Sequence, residues 1–440
     1  MSNLSTQSYK GARDYFPEDK HLQNYIFKVW HATAQSFGYE EYGAPLLEPL
    51  DIYTAKSGQE LAGEQTYLFT DRGGRQVAIR PEMTPSISRM VASRRQELAM
   101  PARLYSIANF MRYERPQRGR EREFWQLNAD LFGAEGSWAD AEIIEFGYHS
   151  IMNFGAREDM FTVRVNNRQL INQLMSRFLG LDVIGAQMMT RLLDRKNKIS
   201  PEAFREQAIE IFGSEEAKVG LPKLAQLISM RSVDDLPEEL ADSPSVQQLR
   251  QVMTLLRQKG IGNAMFDVTL MRGLDYYTGT VFEFVSEEIG AQSTICGGGR
   301  YDYLIEQMGG KPAPAVGWAL GAERVLDLLR EQGVSAQEPA PDAYAIVPDP
   351  AALPQVMRCL HELRAQGVSV QMHSGAASMK SQFKKADACG ARFALIFGAD
   401  ELAAGEVTLK SLRDGVGAQT RHALAQVADW AARLQSAPGA

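Results

Sequence analysis

Residues 103–132 read RLYSIANFMRYERPQRGREREFWQLNADLF, two strand-like stretches, Arg103–Tyr113 and Glu123–Phe132, either side of a turn that holds Pro116 and Gly119. Proline has no amide to give a ladder and glycine reaches backbone angles closed to other residues, so the pair marks a loop between two strands. That loop region carries arginines at 112, 115, 118, 120 and 122. Two readings compete for them. In one, Glu114, Glu121 and Glu123 pair with the arginines on a solvated hairpin. In the other, the guanidinium forks grip phosphates bidentately. The apolar run into Phe110 and Phe124-Trp125-Gln126 then supply an aromatic surface for a purine.

Outward from this hairpin, Leu22, Tyr25, Ile26, Val29, Trp30, Ala34 and Phe37 recur at helical spacing and predict an amphipathic helix ending near Gly38. Strands are expected at Thr66–Thr70 and Gln76–Arg80, joined by an Asp71–Arg75 turn, and a helix at Pro81–Leu98. The first third therefore reads as a sheet of mostly antiparallel strands with flanking helices. Residues 168–262 change to helical periodicity, after which strands are expected at Ala264–Leu270, Gly279–Val285 and Ser293–Cys296, and a helix from Gly321 to Arg330. A helical insertion inside one sheet domain accounts for that order. A Pro/Ala/Gln-rich linker at 333–342 leads into alternating elements: strand Tyr344–Val347, helix Leu353–Gln366, strand Val368–Met372, helix Met379–Cys389 and strand Phe393–Phe397. Strand Glu406–Leu412 and helix Ala423–Leu434 complete a small α/β domain.

Composition bounds the class. The chain has 440 residues, 45% hydrophobic and 23% charged, too long for one compact core and ordinary for a globular protein. No apolar run approaches a membrane span and residues 1–20 hold no apolar signal core, so a cytoplasmic protein without membrane contact is expected. Cys296, Cys359 and Cys389 lie far apart with no Cys-x-x-Cys pair, and the six histidines are scattered, which argues against a disulfide framework or a structural zinc. A net charge of −7 is silent on nucleic acid, because local basic patches suffice for recognition.

Two further segments carry chemistry. Arg272–Phe284 reads RGLDYYTGTVFEF; two successive tyrosines on a strand face opposite sides, which gives Tyr276 and Tyr277 different duties. The plainer reading puts one tyrosine in the core and lets Asp275 cap a turn. Cys296–Asp302 reads CGGGRYD, followed by GWALGAERVLDLL at 317–329. Three glycines let backbone approach a flat ligand, and no Gly-Lys-Ser/Thr follows, so a P-loop is excluded. Arg324 falls near the start of a helix after a strand, a place to meet phosphate or simply a solvated position. Cys296 reads as a small strand residue.

In this order the segments resemble the signature regions of class II aminoacyl-tRNA synthetases: motif 1 ending at Gly43-Ala44-Pro45, motif 2 at Phe110–Phe132, motif 3 at Gly317–Leu329. RGLDYYTGTVFE and CGGGRYD resemble the histidyl-tRNA synthetase family in particular, as do GARDYFPED (11–19), RPEMT (80–84) and SMKSQFKKADACGARFALIFGADEL in the C-terminal part. The resemblance spans about Tyr9 to Leu434. It implies an α+β catalytic domain (1–167 and 263–332) with a mostly antiparallel sheet of six or more strands, a helical insertion (168–262), a linker (333–342) and an α/β anticodon-binding domain (343–440). It also implies the substrates L-histidine, ATP and tRNA(His), a homodimer, and Mg2+ bridging the phosphates, with metal ligands unassigned.

Residue by residue, the resemblance puts Arg112 on the α-phosphate and the histidine carboxylate, Glu114 on the adenine amino group, Phe124 against the ring, and Arg324 on the γ-phosphate. Glu82, Thr84 and Gln126 hold the amino end, Asp130 and Tyr277 lie toward the imidazole, Tyr276 also binds the histidine, and Arg272 sits on the α-phosphate, binds the histidine and stabilises the transition state. A carboxylate attacking phosphorus is already ionised and needs no general base, which suits motifs rich in arginine and devoid of histidine. Asp130 stands where many bacterial members have glutamate, Met83 replaces a glycine of PEGT, and Tyr303 replaces a glycine after RYD. Lys380, Lys384, Lys385, Arg392, Lys410 and Arg413 form a local cationic excess suited to an RNA loop, or a solvated helix face. The rival expectations are a noncatalytic regulatory subunit of ATP phosphoribosyltransferase, another synthetase of the subgroup, and an RNA-binding module on an inactive synthetase fold.

Overall fold

The structure is a computed structural model and describes residues 5–54, 60–117, 119–196, 199–271, 276–286, 294–331, 340–373, 377–413 and 418–435. The chain divides into two compact units, Met1–Ala336 and Gln337–Ala440.

The first unit is built on an eight-stranded sheet. Its strands are β1 (Glu40–Glu41), β5 (Ala102–Met111), β6 (Glu123–Phe132), β7 (Thr162–Asn167), β8 (Ala264–Phe266), β9 (Thr280–Val285), β10 (Thr294–Arg300) and β11 (Ala315–Gly321), in the spatial order β1-β5-β6-β11-β10-β9-β7-β8. All pairings are antiparallel except the two outer ones, β1 with β5 and β7 with β8. The hairpin β5–β6 runs ten residues a side in register from Ala102↔Phe132 to Met111↔Glu123, so the arginine-rich loop leaves from one end of a rigid pair. One face of the sheet is closed by the helix Ser137–Met152, where Phe146 meets Trp318 edge to face at 5.1 Å, and by the first helix, Pro17–Ser36. That helix starts on Pro17 with Glu18 and Asp19 in its first turn, complementing the helix dipole, and runs out before Gly38 at φ 73°.

The 66–80 hairpin is not part of this sheet, contrary to expectation. β3 (Tyr67–Thr70) and β4 (Gln76–Ile79) join β2 (Leu47–Pro49) in a separate three-stranded sheet, because the outer edge of β4 pairs with Leu47–Pro49 rather than with the long hairpin. Other boundaries also move. The helix expected over Pro81–Leu98 begins only at Thr84 with Pro85 behind it, leaving Arg80–Met83 as an irregular bend that puts Glu82 and Met83 on the cleft. The strand expected to stop at Cys296 runs on through Gly297–Gly299 to Arg300. A side chain at Gly298 would collide with the carbonyl of Gly317 on β11. A Cβ at Gly299 would lie 2.7 Å from the Tyr277 ring. The glycines thus answer to strand packing as well as to any ligand.

The described residues between 168 and 258 are mainly helical, and Asp182, Ser200 and Ser243 each cap a helix by accepting from the amide three residues on. In the second unit, β12 (Ala343–Ile346), β13 (Val370–Met372), β14 (Phe393–Ile396), β15 (Glu406–Ser411) and β16 (Gln419–Ala423) form a five-stranded sheet in the order β13-β12-β14-β15-β16. β16 has no counterpart in the sequence reading: its residues QTRHA are polar and mostly exposed, as an edge strand allows. The helix expected over Ala423–Leu434 is correspondingly shorter, Val427–Ala431. Among the described residues of the chain, no helix is long and apolar enough to cross a membrane.

Candidate active site

The open face of the large sheet carries a cleft of ≈ 380 Å³. Its floor follows from register and pleat. On β6, Gln126 and Asn128 point into it at a spacing of two, and on β11 Gly317, Ala319 and Gly321 stand beside Asp130, Asn128 and Gln126. β10 continues the pattern with Gly297 beside Ala319. Small residues on adjoining strands leave the space; the intervening residues Leu127, Ala129 and Leu320 are buried in the opposite face.

One wall comes from the β5–β6 hairpin. Arg112 donates Nε to the carbonyl of Pro81 at 2.8 Å and lies 5.2 Å from the centre of the Phe124 ring, which stacks on Phe110. Burial lowers the Arg112 pKa while Glu82 and Glu114 draw it back up, and at an arginine this leaves the cation intact. Arg120 forms an ion pair with Glu114, with Nη2 donating at 2.7 Å. Arg324, in the first turn of the helix Ala322–Glu331, reaches the same region: a Cβ placed on Gly119 would lie 3.2 Å from its Nη1. Arg120 lowers the pKa of Arg324 further, below what burial alone does. Three guanidinium groups that repel one another around one cleft are poised for a polyanion.

The far wall is tyrosine and carboxylate. Arg80 donates to the carbonyls of Asn109 and Ala44, which fixes the bend carrying Glu82 ahead of the helix that starts at Thr84. Tyr276 donates its hydroxyl to Glu82 Oε2 at 2.8 Å. Tyr276 and Tyr277 are not on a strand facing opposite sides, as expected; they precede β9, their rings touch at 5.1 Å, and both line the cleft. A turn rather than a pleat presents them to one side. Tyr301 lies 5.9 Å from Tyr276 and donates to Asp130 Oδ1. Asp130 is buried behind that ring, and burial pushes its carboxyl up to about 7 against the lowering effect of the Tyr301 bond.

A third group is acidic. Glu323 accepts from the Trp125 amide at 3.1 Å, and burial pushes its pKa up to about 7. Glu121 also lines the cleft, its pKa raised by burial, with Oε2 buried and without a hydrogen-bond partner among the described residues. Each lies close enough to Arg13 to feel its charge. Among the described residues no cluster of three or more His, Cys, Asp or Glu side chains is placed to hold a metal on its own.

Of the residues singled out in the sequence, Glu82, Thr84, Arg112, Glu114, Phe124, Gln126, Tyr276, Tyr277 and Arg324 line this one cleft. Asp130 sits one layer back, and Arg272 lies outside the described residues. The sequence reading gave no role to Asn128, Tyr301 or Glu323, and took Arg120 and Glu121 only as members of the charged hairpin. Asn128 was within reach, since the period-two alternation through Gln126 and Asp130 passes over it. Glu323 was not, because a glutamate in the first turn of a helix is ordinary.

In the second unit the cations gather around the helix Met379–Ala388. Lys385 donates to His373 at 2.8 Å, Lys410 lies over Phe383, and Arg413 pairs with Asp387 at 2.6 Å.

Comparison with known proteins agrees with this architecture. A family model for histidyl-tRNA synthetase matches residues 11–325, and one for an anticodon binding domain matches residues 342–434. A histidine–tRNA ligase of Acidovorax ebreus is 42% identical and aligns over 97% of this chain and 98% of its own. The fold is shared with the crystal structure of histidyl-tRNA synthetase from Nostoc sp. PCC 7120, with TM-score 0.76 and 23% identity over 98% of this chain and 99% of that one. It is also shared with a Bacillus halodurans structure described as an ATP phosphoribosyltransferase regulatory subunit/histidyl-tRNA synthetase, with TM-score 0.72 and 23% identity over 90% of this chain and all of that one. Fold and cleft together are those of a class II aminoacyl-tRNA synthetase. Within that class the chain belongs to the histidyl-tRNA synthetase family.

Proposed function

We propose that this protein is a ligase that activates L-histidine with ATP to histidyl-adenylate and pyrophosphate, then transfers the histidyl group to the 3′ end of tRNA(His) with release of AMP. The observation that carries this reading is the convergence on one cleft of Arg112, Arg120 and Arg324 at one side and the Glu82–Tyr276 pair at the other. A polyanion and an ammonium group have complementary walls there.

In the first step a histidine carboxylate oxygen attacks the α-phosphorus. The new P–O bond forms as the bond to the β-phosphate's bridging oxygen breaks, and pyrophosphate leaves. Arg112 holds the α-phosphate and the attacking carboxylate in line, and Arg272 stabilises the charge that develops between them. Phe124 stacks on adenine, Glu114, held by Arg120, accepts from its amino group, and Arg324 neutralises the γ-phosphate. Glu82, Thr84 and Gln126 take the histidine ammonium. Tyr276 and Tyr277 line the imidazole end, with Asp130 acting from behind Tyr301. Pairing both ring nitrogens is what separates histidine from apolar amino acids of similar size.

Glu121 and Glu323 fit a Mg2+ ion that arrives with ATP: a hard cation binds through one or two carboxylates plus phosphate oxygens, and the buried, unpartnered Oε2 of Glu121 is such a donor. When bound, the ion neutralises phosphate charge. The second unit, with its lysines about Met379–Ala388, reads the anticodon end of the tRNA. A cytoplasmic homodimer completes the proposal. The exposed apolar side chains Leu46, Leu47, Leu68 and Phe69, in and beside the three-stranded sheet, support a second copy as partner.

The regulatory-subunit alternative has less support, because the cleft keeps its arginines and an anticodon-binding unit follows. Exchange of labelled pyrophosphate into ATP, run with a panel of amino acids, tests the activation step. Histidine alone should drive exchange; proline or threonine outperforming it, or no exchange by folded protein, overturns the reading.

A further inference from the structure

On the face of the sheet opposite the cleft, Arg300 is 4% exposed and all three of its guanidinium nitrogens are engaged. Nε donates to Asp140 Oδ1 at 2.8 Å and Nη2 lies 2.6 Å from the same oxygen. Nη1 donates to Asp302 Oδ1 at 3.0 Å and to the carbonyl of Ala134 at 3.2 Å. Asp140 is fully buried in the helix Ser137–Met152, and its other oxygen accepts from the Thr280 hydroxyl at 2.7 Å and from Gln248 Nε2 at 3.2 Å. Gln248 belongs to Pro244–Gln258, the last helix before the chain returns to the sheet at β8, and accepts from Asn167 Nδ2 at 3.1 Å.

None of these groups lines the cleft, yet Tyr277 and Tyr301, which do, are one residue away from the segment they hold. The Arg300 carbonyl accepts the Thr278 amide at 2.7 Å, and the Thr278 hydroxyl sits 3.1 Å from both Asp302 Oδ2 and the Asp302 amide. Thr278 follows Tyr277, and Arg300 precedes Tyr301, so the two cleft tyrosines are neighbours in sequence of the two tethered residues. Tyr277 in turn lies flat enough on Gly299 to leave no room for a Cβ there. A buried ion pair of this kind adds little net stability over well-packed apolar residues of equal volume, so geometry is the stronger reason to keep it.

We infer that Arg300, with Asp140, Asp302 and Thr278, is a positioning network that sets the Tyr277 and Tyr301 rings of the amino-acid end, and that Gln248 ties the last helix of the 168–262 segment to it. The inference rests on the histidine-activating reading above. It makes these residues act on amino-acid binding and not on ATP binding, since Arg112, Phe124 and Arg324 are held by other contacts.

The test is pyrophosphate exchange by the full-length protein with Thr278→Val, Thr278→Ser and Asp140→Asn. Valine keeps the volume and removes the hydroxyl; serine keeps the hydroxyl. Thr278→Val should raise KM for histidine about tenfold, the order expected for one lost hydrogen bond to a charged acceptor, with KM for ATP unchanged within about twofold. Thr278→Ser should restore the wild-type KM, and Asp140→Asn should move KM for histidine in the same direction as valine. Should Asp140→Asn fail to fold, the two Thr278 variants, checked by thermal unfolding, decide alone. Equal effects on both substrates, or none on histidine, overturn the inference. Absence of histidine-dependent exchange by the wild-type protein is a different result and counts against the activating reading instead.

Discussion

Tyr276 donates its hydroxyl proton to Glu82 Oε2 at 2.8 Å, joining two segments 194 residues apart in the chain. Glu82 hangs from the turn fixed by Arg80, and Tyr276 from the loop before β9, so one hydrogen bond closes the amino-acid end of the cleft across the sheet. Removing the charge by Glu82→Gln should cost about 1.5–3 kcal/mol of transition-state binding, roughly ten- to a hundredfold in kcat/KM for histidine. Tyr276→Phe should cost less, because Glu82 keeps its charge. Steady-state exchange kinetics check both; a Glu82→Gln enzyme with wild-type kcat/KM for histidine contradicts the placement.

In the sequence Arg120 is one of five arginines offered to phosphate or to surface ion pairs, with no task of its own. Its ion pair with Glu114 and its repulsion of Arg324 put it at the phosphate side. Arg120→Ala should raise KM for ATP by about tenfold, as loss of a charge-assisted contact does, and leave KM for histidine alone. A larger change in KM for histidine than in KM for ATP would be the wrong outcome.

Asp130 and Glu323 make stability depend on pH. Both carboxyls are pushed to about 7 by burial, well above their ordinary values. Between those ordinary values, near pH 4, and about pH 7 the folded protein binds more protons than the unfolded chain, so stability falls as pH rises across that window and levels off above it. Asp130→Asn should flatten part of the slope. Urea midpoints at pH 5, 6, 7 and 8 measure it; identical slopes in wild type and variant would rule out Asp130 as a source.

Gly298 faces the carbonyl of Gly317 across the β10–β11 pair, with Trp318 Cβ and the Phe282 ring also in the way of any side chain. Rigid neighbours on every side leave nothing to give. Gly298→Ala should lower stability by about 1–3 kcal/mol or more, the cost of overpacking a closed core, visible as a lowered melting temperature. A variant with wild-type melting would mean that the two strands are farther apart than described.

Much of this was legible in the sequence, for identifiable reasons. The β5–β6 hairpin announced itself because alternation and a Pro/Gly turn are local signals, and β6 falls where expected, at Glu123–Phe132. Helical periodicity likewise marked residues 168–262, whose last helix ends at Gln258. What failed was non-local. Nothing in Thr66–Arg80 says whether that hairpin joins the large sheet or pairs with Leu47–Pro49. Tyr276-Tyr277 looked like strand because tyrosines favour strands, yet the chain turns there and aims both rings into one cleft. CGGGRYD was read for its glycines as a ligand approach, whereas neighbouring strands account for the demand at Gly298 and Gly299. Asp130 was placed toward the imidazole; in the structure it lies behind Tyr301, which lines the cleft and donates to it.

The cleft and the C-terminal unit are proposed to act on one tRNA. The most direct test is aminoacylation with labelled histidine and a transcript of tRNA(His), followed by acid precipitation. Histidine should become acid-precipitable on that transcript, dependent on ATP and absent with a transcript of another tRNA. Histidine-dependent pyrophosphate exchange without any charging of tRNA(His) would contradict the account.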